Sequence, residues 1–156
     1  MRREDIRAFL KAGADAIPTY FESGRLTEFN SMPNKSYPFA WLESLEVDTD
    51  FSEAGGLIDA WAVKIHIAKL DKIDSLADAY EGIIDECDHI ARQLLWQYNV
   101  ILYGATTTTA ANKTLYKLIQ LSNVSREPFV KKHADCVTGI ELSFTLTTPD
   151  QTDVCP

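Results

Sequence analysis

The sequence predicts a single α+β domain. It is a two-layer sandwich in which a four-stranded, mainly antiparallel sheet is covered on one face by a long helix and an N-terminal helix. Three observations lead there. Two segments alternate apolar and polar residues with a period of two, AWAVKIHIAKL near the middle and VTGIELSFTLT near the end, as half-buried strands require. Between them lies one long apolar stripe at helical spacing. The elements run helix, strand, strand, helix, strand, strand, so two hairpins build one sheet and the helices layer onto it.

Within 1–18, Ile6, Phe9, Leu10 and Ile17 fall near helical spacing and Pro18 ends the run, because its ring cannot continue a helix. Residues 19–37 are rich in Ser, Asn, Gly and Pro and read as an arm or loop. Sheet and long helix occupy 38–147. The first strand, Phe39 to Val47, places Phe39, Trp41, Leu45 and Val47 on one side. In the second, Trp61, Val63, Ile65 and Ile67 alternate with Lys64, His66 and Ala68. DTDFSEAGGLID between them predicts a hairpin with a long exposed tip.

The long helix starts at Ser75, with Asp78 three residues on as a weak capping box. Leu76, Tyr80, Ile83, Ile84, Cys87, Ile90, Ala91, Leu94, Leu95 and Tyr98 form its stripe, and Glu81, Asp85, Asp88 and Arg92 a solvated face. GATTTTAAN reads as a flexible turn, and Leu115 to Ser122 as the third strand. Asn123 to Cys136 is a long basic connection, Val137 to Thr147 the fourth strand, and 148–156 a polar tail.

The 156 residues fit one domain, and the composition, 46% hydrophobic and 24% charged, is that of a globular protein. A net charge of −8 argues against the nucleic-acid backbone as main partner. No apolar run is long enough to cross a membrane; Gln93 to Asn112 lacks charge but holds Gln, Asn and four consecutive Thr. The opening MRREDIRAFLKAG lacks the apolar core of a secretory signal. Three widely spaced cysteines match neither a disulfide framework nor a zinc knuckle, so a reducing compartment is expected.

Chemistry-bearing patterns are sparse. Cys87 lies in the apolar stripe, where a cysteine packs as a small hydrophobe. Cys136 follows His133 by three residues, and Asp85 precedes His89 by four, but neither pair has a third group at a spacing that builds a catalytic or metal centre. No Gly-rich phosphate loop occurs. No cofactor, metal or catalytic residue is expected.

Charge is unevenly spread. From Ser36 to Val63 there is no basic residue and there are six carboxylates: Glu43, Glu46, Asp48, Asp50, Glu53 and Asp59. The basic connection carries Arg126, Lys131 and Lys132 around Pro128, Phe129 and Val130. An acidic tip of one subunit meeting this connection on the next would give a heterologous contact that closes into a ring. The expected interface residues are therefore Asp48, Asp50, Glu53, Arg126, Phe129, Lys131 and Lys132, with Phe129 as an apolar anchor.

YPFAWLESLEV, AWAVKIHIAKLDKIDSL, YEGIIDECDHIARQLLWQY and SREPFVKKHADCVTGIELSFTL, taken with the element order, resemble the neck and tail-terminator proteins of tailed bacteriophages. The resemblance spans Tyr37 to Leu146 and is one of size, order and texture; the long first connection and the polar tail have no counterpart in it. It implies a non-enzymatic virion protein, assembled in the host cytoplasm, that forms a ring, commonly a hexamer, at the head-tail junction. The ring would dock neighbouring connector and tail proteins and let viral DNA pass without sequence recognition. Its two long hairpin loops would contact the adjacent rings. The alternatives are a portal-adaptor, tail-tube or tail-hub ring of the same apparatus, and a small cytosolic enzyme using Cys136 with His133 or Asp85 with His89.

Overall fold

The computed structural model describes residues 1–25, 28, 37–53, 55–71, 77–103, 119–132 and 136–149. These form an α+β fold with two helices on one face of a mixed six-stranded sheet. The two-helix α+β layering is as the sequence predicts. The sheet has two more strands than expected and is mixed rather than mainly antiparallel.

Helix α1 spans Arg3–Ala14. The Asp5 carboxylate accepts the Arg2 backbone N–H at 2.9 Å, which satisfies one of the amides a helix start leaves over. Its buried face is Ile6, Phe9, Leu10, Gly13 and Ala14. Where an arm was expected, strand β1, Tyr20–Ser23, lies parallel to β2, Phe39–Leu42, and forms a sheet border.

The expected strand Phe39 to Val47 is two strands. β2 ends at Leu42, the chain bends through Glu43 to Leu45, and β3 runs Glu46–Phe51. Both pair antiparallel with the 14-residue β4, Leu57–Leu70. The bend changes the phase of the side chains. Phe39 and Trp41 face away from the helices, whereas Leu45 enters the main core at 2% exposure. All four residues of β2 are buried because its far face has an aromatic cover of its own. The tip expected to be long contracts to Ser52–Gly56, with β3 and β4 zipped up to Phe51↔Leu57.

Helix α2, Ala77–Tyr103, runs past Tyr98, the last residue of the predicted stripe; its predicted start at Ser75 lies outside the described residues. Cys87, Ala91, Leu94, Tyr98 and Leu102 make its fully covered line. They pack on Trp61, Val63, Ile65 and Ile67 of β4 and on Ile140, Leu142, Phe144 and Leu146 of β6, Val137–Pro149. The parities predicted for these two strands are the ones that face the helices. β6 runs on through part of the predicted tail, where buried Thr148 accepts the Trp61 indole N–H at 3.2 Å.

The third predicted strand and the basic connection need the largest correction. The turn GATTTTAAN and residues 115–118 lie outside the described residues. β5 runs Gln120–Lys132, so most of the segment expected to be a connection is strand. The pattern concealed this because β5 slips against β6 twice, between Ser122 and Ser125 and between Phe129 and Lys132. Each extra residue reverses which parity faces inward. Asn123, at φ 53°, sits in the first slip.

The sheet order is β1-β2-β4-β6-β5, with β3 beside the other half of β4. β4 and β6 are its central pair, in unbroken register from Ile58↔Pro149 to Leu70↔Val137.

Candidate functional site

The acidic pole is where the sequence puts it. All six residues of β3 are exposed, so Asp48 and Asp50 stand in solvent, and Glu53 projects from the tip. Paired residues of an antiparallel ladder share a face. Glu46, Asp48 and Asp50 oppose Ala62, Ala60 and Ile58, and so lie on the face away from the helices. Val47, Thr49 and Phe51 take the other face, and Phe51 is 71% exposed.

Two residues of the expected basic connection, Arg126 and Phe129, are taken up by contacts within the chain. Arg126 opposes Leu142 on the helix side of β5, and its guanidinium meets the Asp88 carboxylate of α2 at 2.5 Å. Arg92 holds the other Asp88 oxygen at 2.9 Å. Asp88, expected on a solvated face, is instead a tie between helix and sheet, and it holds Arg126 within the chain. Phe129 is not an exposed anchor. At 4% exposure it packs with Phe39, Trp41, Ala68 and Val137 in a second cluster on the outer face. It lies directly opposite Gly139 in the β5–β6 register. Lys131 and Lys132 belong to the end of β5 rather than to a loop.

Beside that cluster, the outer face holds a charged group that sequence reasoning missed. His66 is nearly buried, its side chain 6% exposed. Its Nε2 lies 2.5 Å from Glu43 Oε1, and its Nδ1 lies 3.8 Å from Glu141 Oε2. Lys64 Nζ approaches the other Glu141 oxygen at 3.7 Å, and the Phe129 ring stands edge-on to the imidazole at 5.8 Å. Four segments supply these groups: the bend after β2, then β4, β5 and β6. The two carboxylates flank opposite nitrogens of one ring and do not converge on a common point. Among the described residues no group of three or more His, Cys, Asp or Glu is placed to hold a metal ion. What the arrangement does chemically is cross-brace the sheet at the bend between β2 and β3.

Asp85 and His89 are both exposed on α2, Cys136 is half-buried in the turn before β6 at φ 53°, and His133 lies outside the described residues. The Cys87 thiol is pushed up to about 12, first by burial and further by the Glu86 carboxylate, against the pull of the Lys69 ammonium. A thiol so placed is a poor nucleophile.

Apolar side chains reach the surface on both flanks of the sheet: Tyr20, Val47 and Phe51 on one, Val124 and Val130 on the other. Trp96 and Tyr103 are exposed on the helix layer. Trp96 borders an open groove of about 440 Å³ shared with Ile17, Pro18, His89, Arg92 and Gln97. No protein-family model matches the chain, and no curated protein matches it.

Proposed function

We propose that the chain is a structural ring subunit of a tailed bacteriophage, a tail terminator or neck ring at the head-tail junction around the DNA channel. The observation that carries this reading is the exposure of apolar side chains on two opposite flanks of one sheet. A head-to-tail contact joins two different surfaces of the same chain, and repeating it around an axis closes a ring. Tyr20 on the β1 side and Val124 and Val130 on the β5 side supply two such surfaces, and the exposed Trp96 adds an aromatic anchor of the kind interfaces favour. With Arg126 held by Asp88, the contact is apolar rather than the acid-to-base contact read from the sequence. The net charge of −8 suits a conduit wall, because like charge keeps DNA from sticking.

Light scattering together with negative-stain imaging of the purified chain tests this. Closed rings with an open centre are the expected result, and Val124→Lys combined with Val130→Lys should dissociate them. A chain that stays monomeric at high concentration, alone and with phage connector or tail proteins, overturns the reading. The symmetry of the rings separates a terminator from a portal adaptor, tube or hub.

A further inference from the structure

The two flanks of the sheet differ in how they are protected. β5 carries two bulges and, in Pro128, a residue without an amide proton, both devices that blunt a strand border. β3 has neither. EVDTDF contains no Pro, Gly, Lys or Arg, and it pairs with β4 in unbroken register from Glu46↔Ala62 to Phe51↔Leu57. Among the described residues, no strand pairs with its other side.

Backbone and side chains of β3 both define what would fit there. Ser52 N–H donates to the Gly56 carbonyl at 2.7 Å where the hairpin closes. In an antiparallel ladder the bonded pairs recur at every second residue. Asp50, Asp48 and Glu46 therefore hold the bonds to β4, and the backbone groups of Val47, Thr49 and Phe51 face outward. The Phe51 N–H is met by Asp50 Oδ1 at 2.7 Å, so Val47 and Thr49 offer the outward donors. The three carboxylates form a row on one face, spaced at roughly 7 Å, with Val47, Thr49 and Phe51 on the other.

A second β3 is a poor occupant, since it would set one carboxylate row beside another, and like charges on adjacent strands repel. β5 of another copy is also unsuited, with Glu127 and Pro128 inside its run. We propose that β3 takes up, by strand addition, an extended basic segment of a different protein, with Lys or Arg at alternate positions and apolar residues between them. Main-chain bonds to Val47 and Thr49 would supply the docking, and the carboxylate row would select the sign of the partner. This inference stands on β3 alone and does not require the chain to form a ring.

The test uses the full chain with a labelled decapeptide of alternating lysine and valine, and a glutamate-valine peptide as control. The lysine peptide should bind saturably by fluorescence anisotropy, and binding should weaken as salt is raised to about 0.5 M. Amide exchange at Val47 and Thr49 should slow when it binds. Asp48→Lys with Asp50→Lys should weaken binding about tenfold or more, and Thr49→Pro should weaken it similarly with an unchanged circular dichroism spectrum. Equal binding of the glutamate peptide, or unchanged exchange at Val47 and Thr49 in the unmutated chain, overturns the proposal. So does a drop in particle mass on charge reversal without peptide, which would assign the border to another copy of this chain.

Discussion

A methyl group placed on Gly13 would run into the ring of Tyr98. The added Cβ would stand 2.3 Å from Cε1 and 2.5 Å from Cδ1, against about 3.5–4.0 Å for carbon atoms in contact. The ring has little room to retreat. Tyr98 is fully buried, donates its hydroxyl to the Leu10 carbonyl at 3.2 Å, and packs 5.3 Å from Phe9 and 5.7 Å from Phe144. Overpacking costs about 1–3 kcal/mol, and a clash this deep belongs at the upper end. Ala in place of Gly within a helix returns up to about 1 kcal/mol. The net cost of Gly13→Ala is then about 2 kcal/mol, or a Tm lower by roughly 4–8 °C for a chain of this size. In a Tyr98→Leu background the ring is gone and only the propensity gain is left, so the same substitution should be neutral or stabilising. The coupling between the two sites is about 3 kcal/mol, readable by urea unfolding of the four proteins of the cycle. If Gly13→Ala costs the same in both backgrounds, α1 does not seat on α2 through this contact.

Other outcomes follow from the same packing. At Gly139 a Cβ would fall 1.9 Å from the Ile67 carbonyl oxygen, a backbone atom in the central pair of strands. Gly139→Ala should therefore abolish soluble expression or lower stability by more than about 3 kcal/mol, as checked by solubility and thermal melts. Asp88→Asn should cost about 1 kcal/mol by releasing Arg92 and Arg126 together, with the difference shrinking at high salt in paired denaturation curves. Cys87 should resist iodoacetamide near pH 8 in the folded chain and react once urea unfolds it, followed by mass spectrometry. Its folded value, raised to about 12 by burial, also fixes a direction with pH. The contribution is whole below the unfolded thiol's value of about 8.5 and is lost as pH climbs from there through the folded value. Buried Tyr98, likewise raised by desolvation, adds to the loss at higher pH. Urea midpoints should thus fall steadily above about pH 9; a flat profile would contradict the burial of both groups.

What the sequence disclosed is what regular periodicity can carry. The alternations through Trp61 to Ile67 and Ile140 to Leu146, and the stripe from Cys87 to Tyr98, stay in phase over their whole length and face the core as read. Phase is lost elsewhere. Leu45 turns inward at a bend, and two slips scramble β5, so a basic strand reads as a loop. β1 has four residues, mostly exposed, too few to show any period. Of the residues expected at an interface, Asp48, Asp50 and Glu53 are exposed, which is legible because a run of acid with no base can only be surface. The fates of Arg126 and Phe129 depend on Asp88 and on the Phe39–Trp41 cluster, neighbours in space that no local spacing announces. The His66 cluster is hidden for the same reason, since Glu43 and Glu141 come from opposite sides of β4.

The seam between β4 and β6 has a bearing on synthesis. Its cross-links join distant stretches: Thr138 to Asp71 spans 67 positions, and Trp61 to Thr148 spans 87. Contacts this remote form slowly, because a long intervening chain must be closed before they return any energy. While the ribosome is still delivering that stretch, β4 has β2 and β3 beside it but nothing along its other border, and the greasy side of α2 lacks half its floor. The nascent chain therefore commits to its fold late, and one halted before β6 emerges should be a ward of chaperones rather than a smaller working domain.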